Sequence, residues 1–199
     1  MTVPARVRRA AVVLLAVALV GVLPSCSRNA TTNSGQYVTG DGLITVVDPA
    51  DREEAPDIAG TTLDGERIQL SQYEGKTLVV NVWGSWCPPC RKEAPALIQV
   101  SKQYADQDVQ FVGIAIREES TASKAFSDRV GMPYPSISDP SSQTLLGFAD
   151  SLPSQAIPTT WVIDDQGRVA ARVLDDVTAS TLSGLIDEVK SGDVRQSDG

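Results

Sequence analysis

Hydrophobic and polar positions divide the chain into stretches of different periodicity. Residues 10–23 are apolar, 27–42 are small and polar, and from residue 55 short apolar runs alternate with mixed segments. Residues 77–83 (TLVVNVW) and 109–116 (VQFVGIAI) are nearly continuous apolar runs, the pattern of strands buried on both faces. Three segments carry helical spacing instead. Segment 88–104 has Ala94, Leu97, Ile98 and Val100 or Ser101 along one side. Segment 121–130 has Ala122, Ala125, Phe126 and Val130, and 181–190 has Leu182, Leu185, Ile186 and Val189. Runs 58–61 and 67–70 flank Leu63-Asp64-Gly65, a hairpin signal, and strands 159–163 and 169–174 flank the turn Asp164-Asp165-Gln166-Gly167. A peripheral strand at 43–47, a very short strand within the Pro-punctuated 133–140 and a short helix at 142–149 complete the set. The order predicts an α/β fold: a mixed central β-sheet flanked by helices on both faces, with an N-terminal β-hairpin and a central helical insert.

The first 25 residues read as an export signal. Arg6, Arg8 and Arg9 precede the 14-residue apolar stretch 10–23, which is shorter than the roughly 20 residues of a spanning helix. Leu23-Pro24-Ser25-Cys26 resembles the bacterial lipobox. That resemblance implies a lipoprotein, lipidated on Cys26 and anchored at the extracytoplasmic face of the cell membrane. Cleavage without a lipid and an uncleaved anchor are the alternatives. Residues 26–54 then serve as lipid attachment and flexible tether, 55–191 as the folded domain and 192–199 as a disordered tail.

Composition narrows the chemistry. The 199 residues include 17 basic and 25 acidic side chains, three Cys and no His. Without His there is no Ser-His-Asp triad, no His-ligated metal and no His general base. The three basic residues of the signal are Arg6, Arg8 and Arg9, so 14 basic and 25 acidic residues remain, a net charge of −11. Such a body does not suit nucleic acid, and it would stay at an anionic membrane through a lipid rather than through charge.

With Cys26 used for lipid, one pair is left, in Trp86-Cys87-Pro88-Pro89-Cys90. The pair follows a predicted buried strand and opens a predicted helix. A helix N-terminus offers unpaired N–H groups and about half a positive charge, which stabilises a thiolate. Thiol pKa values in such motifs fall to roughly 3.5–7.5. Cys87 is therefore the expected nucleophile, and Cys90, one turn on, the resolving thiol. Zinc needs four ligands and is short of them here, and a structural disulfide closing so small a loop would constrain little chain. No metal and no cofactor are expected.

Strand, WCxxC, helix, and then Ile157-Pro158-Thr159-Thr160 before another strand resemble the thioredoxin fold. Asn81-Val82-Trp83-Gly84-Ser85-Trp86, Arg91-Lys92-Glu93, Pro95 and Val162-Ile163-Asp164 make the closer resemblance one to the membrane-anchored TlpA/ResA-like thiol-disulfide oxidoreductases, over residues 55–189. The resemblance implies a redox disulfide Cys87–Cys90 and a cis peptide before Pro158 beside the sulfurs. It also implies substrate binding by Trp86, Ile157 and Pro158, with the Ile157 backbone pairing with an incoming peptide. Glu93 matches a family acid, and a carboxylate there, raised by burial, could exchange protons with Cys90. The alternative for Glu93 is an ordinary first-turn acid. Asn81 reads as a hydrogen-bonded core amide, and Pro95 as the family's helix-kinking Pro.

The resemblance further implies a protein-disulfide reductase acting on exported proteins and recharged by a membrane thiol electron donor. An apocytochrome c CxxC pair in cytochrome c-type biogenesis is the leading substrate, and a copper-site thiol pair the second. A disulfide-donating oxidase shares every one of these features and differs only in poise. A thiol peroxidase fits less well, because Trp83 stands four residues before Cys87 where a peroxidatic loop has Thr. A binding module with a passive CxxC is the non-enzymatic alternative. Tyr134, Pro135 and the 141–153 insert are candidates for lining a substrate groove.

Overall fold

The structure is a computed structural model that describes residues 36–38, 43–154 and 156–192. The signal at 1–25, the lipidation candidate Cys26 and tail residues 193–199 lie outside the described residues. Among the described residues the strands are β1 (Gln36–Val38), β2 (Ile44–Val47), β3 (Ala59–Thr61), β4 (Arg67–Gln69), β5 (Thr77–Trp83), β6 (Val109–Ile116), β7 (Ser136–Asp139), β8 (Thr159–Ile163) and β9 (Val169–Leu174). The α-helices are α1 (Pro88–Gln103), α2 (Ser120–Val130) and α3 (Ala179–Ser191). Two 3-10 helices occupy Leu70–Tyr73 and Gln143–Phe148.

The main sheet runs β1-β2-β9-β8-β5-β6-β7. β6 is parallel to both β5 and β7, and the remaining neighbours are antiparallel, so the sheet is mixed. All seven residues of β5 are buried, as its unbroken apolar pattern requires of a central strand. Alternation along β5 sorts the core into two layers. Val79 faces Leu97 and Val100 of α1 and Leu182, Leu185 and Ile186 of α3. Trp83, on the same side, meets Phe126 of α2, with ring centroids 5.4 Å apart. Leu78, Val80 and Val82 face the other way, onto Ile58, Ile68, Leu70, Phe148 and Leu152.

The three α-helices thus share one face. The hairpin β3–β4 and the two 3-10 helices cover the other. The handedness of crossovers explains this for α1 and α2: β5-α1-β6 and β6-α2-β7 advance the same way across the sheet, so their helices fall on the same side. The hairpin approaches β7 closely enough that a Cβ on Gly60 would lie 2.3 Å from Ile137 Cγ2.

Several expectations are corrected by the packing. Among the described residues the sheet includes strands from Gln36 on, ahead of residue 55 where the domain was expected to start. β2, the peripheral strand expected at 43–47, pairs onto β9, and β1, read from the sequence as tether, pairs onto β2. A β-branched run as short as β2 carries no local mark of the strand it joins. In α2 the buried side is Ser123 and Phe126 with half-buried Val130, while Ala122 and Ala125 are exposed. Small alanines give the periodicity little weight in choosing a face. The 141–153 insert packs onto β8: Phe148 stacks on Trp161 at 3.8 Å, and the Leu152 carbonyl accepts from Trp161 Nε1 at 2.8 Å. Tyr134 is likewise buried, against Phe111.

Candidate active site

β5 ends at Trp83, and the chain turns through Gly84-Ser85-Trp86 into α1. Cys87 is the N-cap of α1 with extended backbone, φ −85° and ψ 113°. Pro88 and Pro89 follow in the first turn, where the missing N–H has no intrahelical partner to lose. The Cys90 N–H donates to Cys87 Sγ at 3.2 Å, so a free helix-end donor points at the sulfur expected to carry charge. The two sulfurs are bonded, with Cα atoms 5.3 Å apart. Both residues are buried, Cys87 at 2 % and Cys90 at 3 % exposure, whereas Trp86 is 45 % exposed.

The start of β8 comes in beside them. The Ile157–Pro158 peptide is cis, and the Ile157 carbonyl oxygen lies 3.9 Å from Cys87 Sγ. The loop after β9 reaches the same place: the Asp175 N–H donates to the Pro158 carbonyl at 3.1 Å.

Glu93, three residues after Cys90 on α1, is buried at 2 % exposure. Its Oε1 accepts from Asn81 Nδ2 at 2.8 Å, and its Oε2 from the Val177 N–H at 3.2 Å. Asn81 also donates to Thr160 Oγ1 at 3.0 Å. Burial pushes the Glu93 carboxyl up to about 7. The two hydrogen bonds oppose that rise, and the charges of Asp176 and Asp175 add to it. The site therefore holds an acid that changes charge near neutrality in a chain with no His.

Sequence reasoning placed Cys87, Cys90, Glu93, Trp86, Ile157 and Pro158 as candidates, and the fold gathers all six around the end of β5. Trp83 packs behind the disulfide with Ala94, Ala115 and Phe126. Missed were the Asn81–Glu93 contact, the Val177 donor and Glu118. Glu118 Oε1 accepts from the Ser85 N–H at 2.6 Å, and its Oε2 from the Ser85 hydroxyl. No local signal marks it, since an acid just before a helix reads as a dipole partner. Among the described residues no group of three or more His, Cys, Asp or Glu is placed to hold a metal ion.

A mixed sheet with a disulfide at a helix N-terminus, facing a cis-proline and backed by a buried acid, defines a thioredoxin-fold protein-disulfide oxidoreductase. Comparison with known proteins gives the same class. Residues 52–172 match the model of the AhpC/TSA family. The thiol-disulfide oxidoreductase ResA of Bacillus subtilis (strain 168) is 31 % identical over 140 residues, which span 70 % of this chain and 76 % of that protein. Among solved structures, a DsbF homologue from Corynebacterium diphtheriae superimposes with a TM-score of 0.70 and 34 % identity, covering 76 % of this chain and 96 % of that one. A secreted thiol-disulfide isomerase from Corynebacterium glutamicum gives a TM-score of 0.69 and 34 % identity, covering 77 % and 98 %. The chain belongs to the AhpC/TSA family, within it to the ResA-like thiol-disulfide oxidoreductases.

Proposed function

We propose that this enzyme is an extracytoplasmic reductase of disulfides in exported proteins, with an apocytochrome c CxxC pair as its leading substrate. The observation that carries the reading is Glu93. Its buried carboxyl, raised to about 7 and three residues after Cys90 on the same helix, suits the resolving step of disulfide exchange. The redox poise of the pair decides the direction. The same acid serves as proton acceptor for Cys90.

The reaction balances in two exchanges. The Cys87 thiolate attacks one sulfur of the substrate disulfide, forming a mixed disulfide and releasing a substrate thiolate. Cys90 passes its proton to Glu93 and attacks Cys87 Sγ, which forms the Cys87–Cys90 disulfide and releases the second substrate thiolate. The substrate gains two electrons as two thiolates, which take up one proton from Glu93 and one from water, where the Cys87 proton had gone. A membrane dithiol donor returns the pair to the reduced state. Ile157 offers backbone groups beside Cys87, with Pro158 and exposed Trp86 as the apolar walls for the substrate peptide.

Location follows from the signal at residues 1–25 and from Cys26 as lipid attachment, with residues 55–191 as the core of the domain. Among the described residues no helix is long and apolar enough to cross a membrane. Metabolic labelling with a radioactive fatty acid, lost in Cys26→Ala, tests the anchor.

The deciding measurement for function is the reduction potential of the pair. A value near about −270 mV supports the reductase, and one near about −120 mV overturns it in favour of a disulfide donor. Loss of c-type cytochromes on deletion, restored by the wild type but not by the Cys87→Ala, Cys90→Ala double variant, tests the substrate.

A further inference from the structure

The loop before Cys87 is held at two points from the end of β6. Glu118 takes both the backbone N–H and the hydroxyl of Ser85, the former at 2.6 Å. The Ile116 carbonyl takes Trp86 Nε1 at 3.3 Å. The residue between them, Arg117, has φ 57°. A non-glycine residue enters that region rarely, and such outliers persist where the surroundings enforce them. This left-handed turn is what lets two groups, two residues apart, face the same loop. The Trp86 ring in turn lies across Gly84, where a Cβ would come within 2.6 Å of Nε1. Arg91 completes the enclosure from the exposed side, donating to the Ser85 carbonyl at 3.0 Å. A half-buried carboxylate thus has both oxygens committed to a residue two positions before the reacting sulfur.

We propose that Glu118 is a positioning residue for disulfide exchange. It fixes Ser85 so that Cys87 is presented to the substrate with the Trp86 ring held beside it, and its charge weights the Cys87–Cys90 couple toward the disulfide. The inference rests on Cys87 being the attacking sulfur. The charge acts by simple repulsion: a carboxylate near Cys87 raises the energy of the thiolate, which only the reduced form contains. Removing the charge favours the dithiol.

The test compares wild type, E118Q, E118A and S85A in the full chain. Two quantities are read: the single-turnover rate at which chemically reduced enzyme reduces a cystine-containing model peptide, and the oxidised fraction in glutathione redox buffers. E118A is expected to be at least fivefold slower. E118Q is expected to recover most of that loss, because a glutamine oxygen still accepts the Ser85 N–H. Both variants are expected to shift the equilibrium at least threefold toward the dithiol. If E118A shows no cooperative thermal transition, S85A, which deletes only the hydroxyl, carries the rate comparison at an expected loss of at least twofold. The proposal is overturned by E118A, or S85A in its place, reacting at the wild-type rate. It is equally overturned by E118Q remaining as slow as E118A, or by the equilibrium staying unmoved when the charge is removed. An oxidising wild-type potential would sink the reductase reading without touching these ratios between variants.

Discussion

Asn81 on the central strand donates its side-chain amide to the Glu93 carboxylate at 2.8 Å, both residues being buried. This contact ties the strand that leads into the cysteines to the helix that carries them. It also places the one strongly raised carboxyl of the site under the control of a neutral partner.

The stability of the protein is expected to follow the Glu93 titration. Its folded-state pKa, about 7, lies above the ordinary 4.5, so ionisation costs more in the folded than in the unfolded state. The contribution is full below about pH 4.5 and is lost as pH rises through about 7, by up to about 3 kcal/mol. Denaturant unfolding of wild type between pH 5 and 8 is expected to show this decline, and Glu93→Gln to remove that slope. Equal slopes would place the titration elsewhere.

Truncating Asn81 to alanine removes the donor that opposes the rise. Asn81→Ala is expected to move the Glu93 titration higher and to cost about 1–3 kcal/mol, because Oε1 is left buried without that partner. Carboxyl chemical shifts followed against pH read the first effect, and urea melts the second.

Phe148 is fully buried and stacks on Trp161, at the face away from the cysteines. Phe148→Ala is expected to cost about 3–5 kcal/mol while the exchange rate per folded molecule stays at the wild-type level. A fall in rate at full folding would show that the insert reaches the active site.

Truncation tests the start of the domain. A chain beginning at Gln36 retains β1 and β2, whereas one beginning at Ala55 loses both, with the buried Val46 of β2, and uncovers the β9 edge. The shorter chain is expected to melt at least 5 °C lower and to associate in a concentration-dependent way, read by thermal unfolding and sedimentation. Equal melting temperatures would make the two strands dispensable.

The strands β5, β6, β8 and β9 lie where the apolar runs put them, residue for residue. They are long and buried, and burial on both faces writes a continuous pattern. The Cys pair and its helix were equally legible, because capping and proline position are local. Glu93 was legible as a candidate but its state was not, since its partners Asn81 and Val177 lie 12 and 84 residues away in sequence. Glu118 left no trace, because its only distinctive contact spans 33 residues to Ser85.

The sequence by itself thus determined the elements, the reactive pair and the class of chemistry, all of which depend on spacing within a few residues. Only the tertiary structure decided that β1 and β2 close one side of the sheet and that all three α-helices share a face. It also decided that Asn81, Val177 and Glu118 meet the cysteine-bearing segment. These depend on how distant parts of the chain return to one another, and hydrogen bonds between residues so far apart leave no periodicity to read.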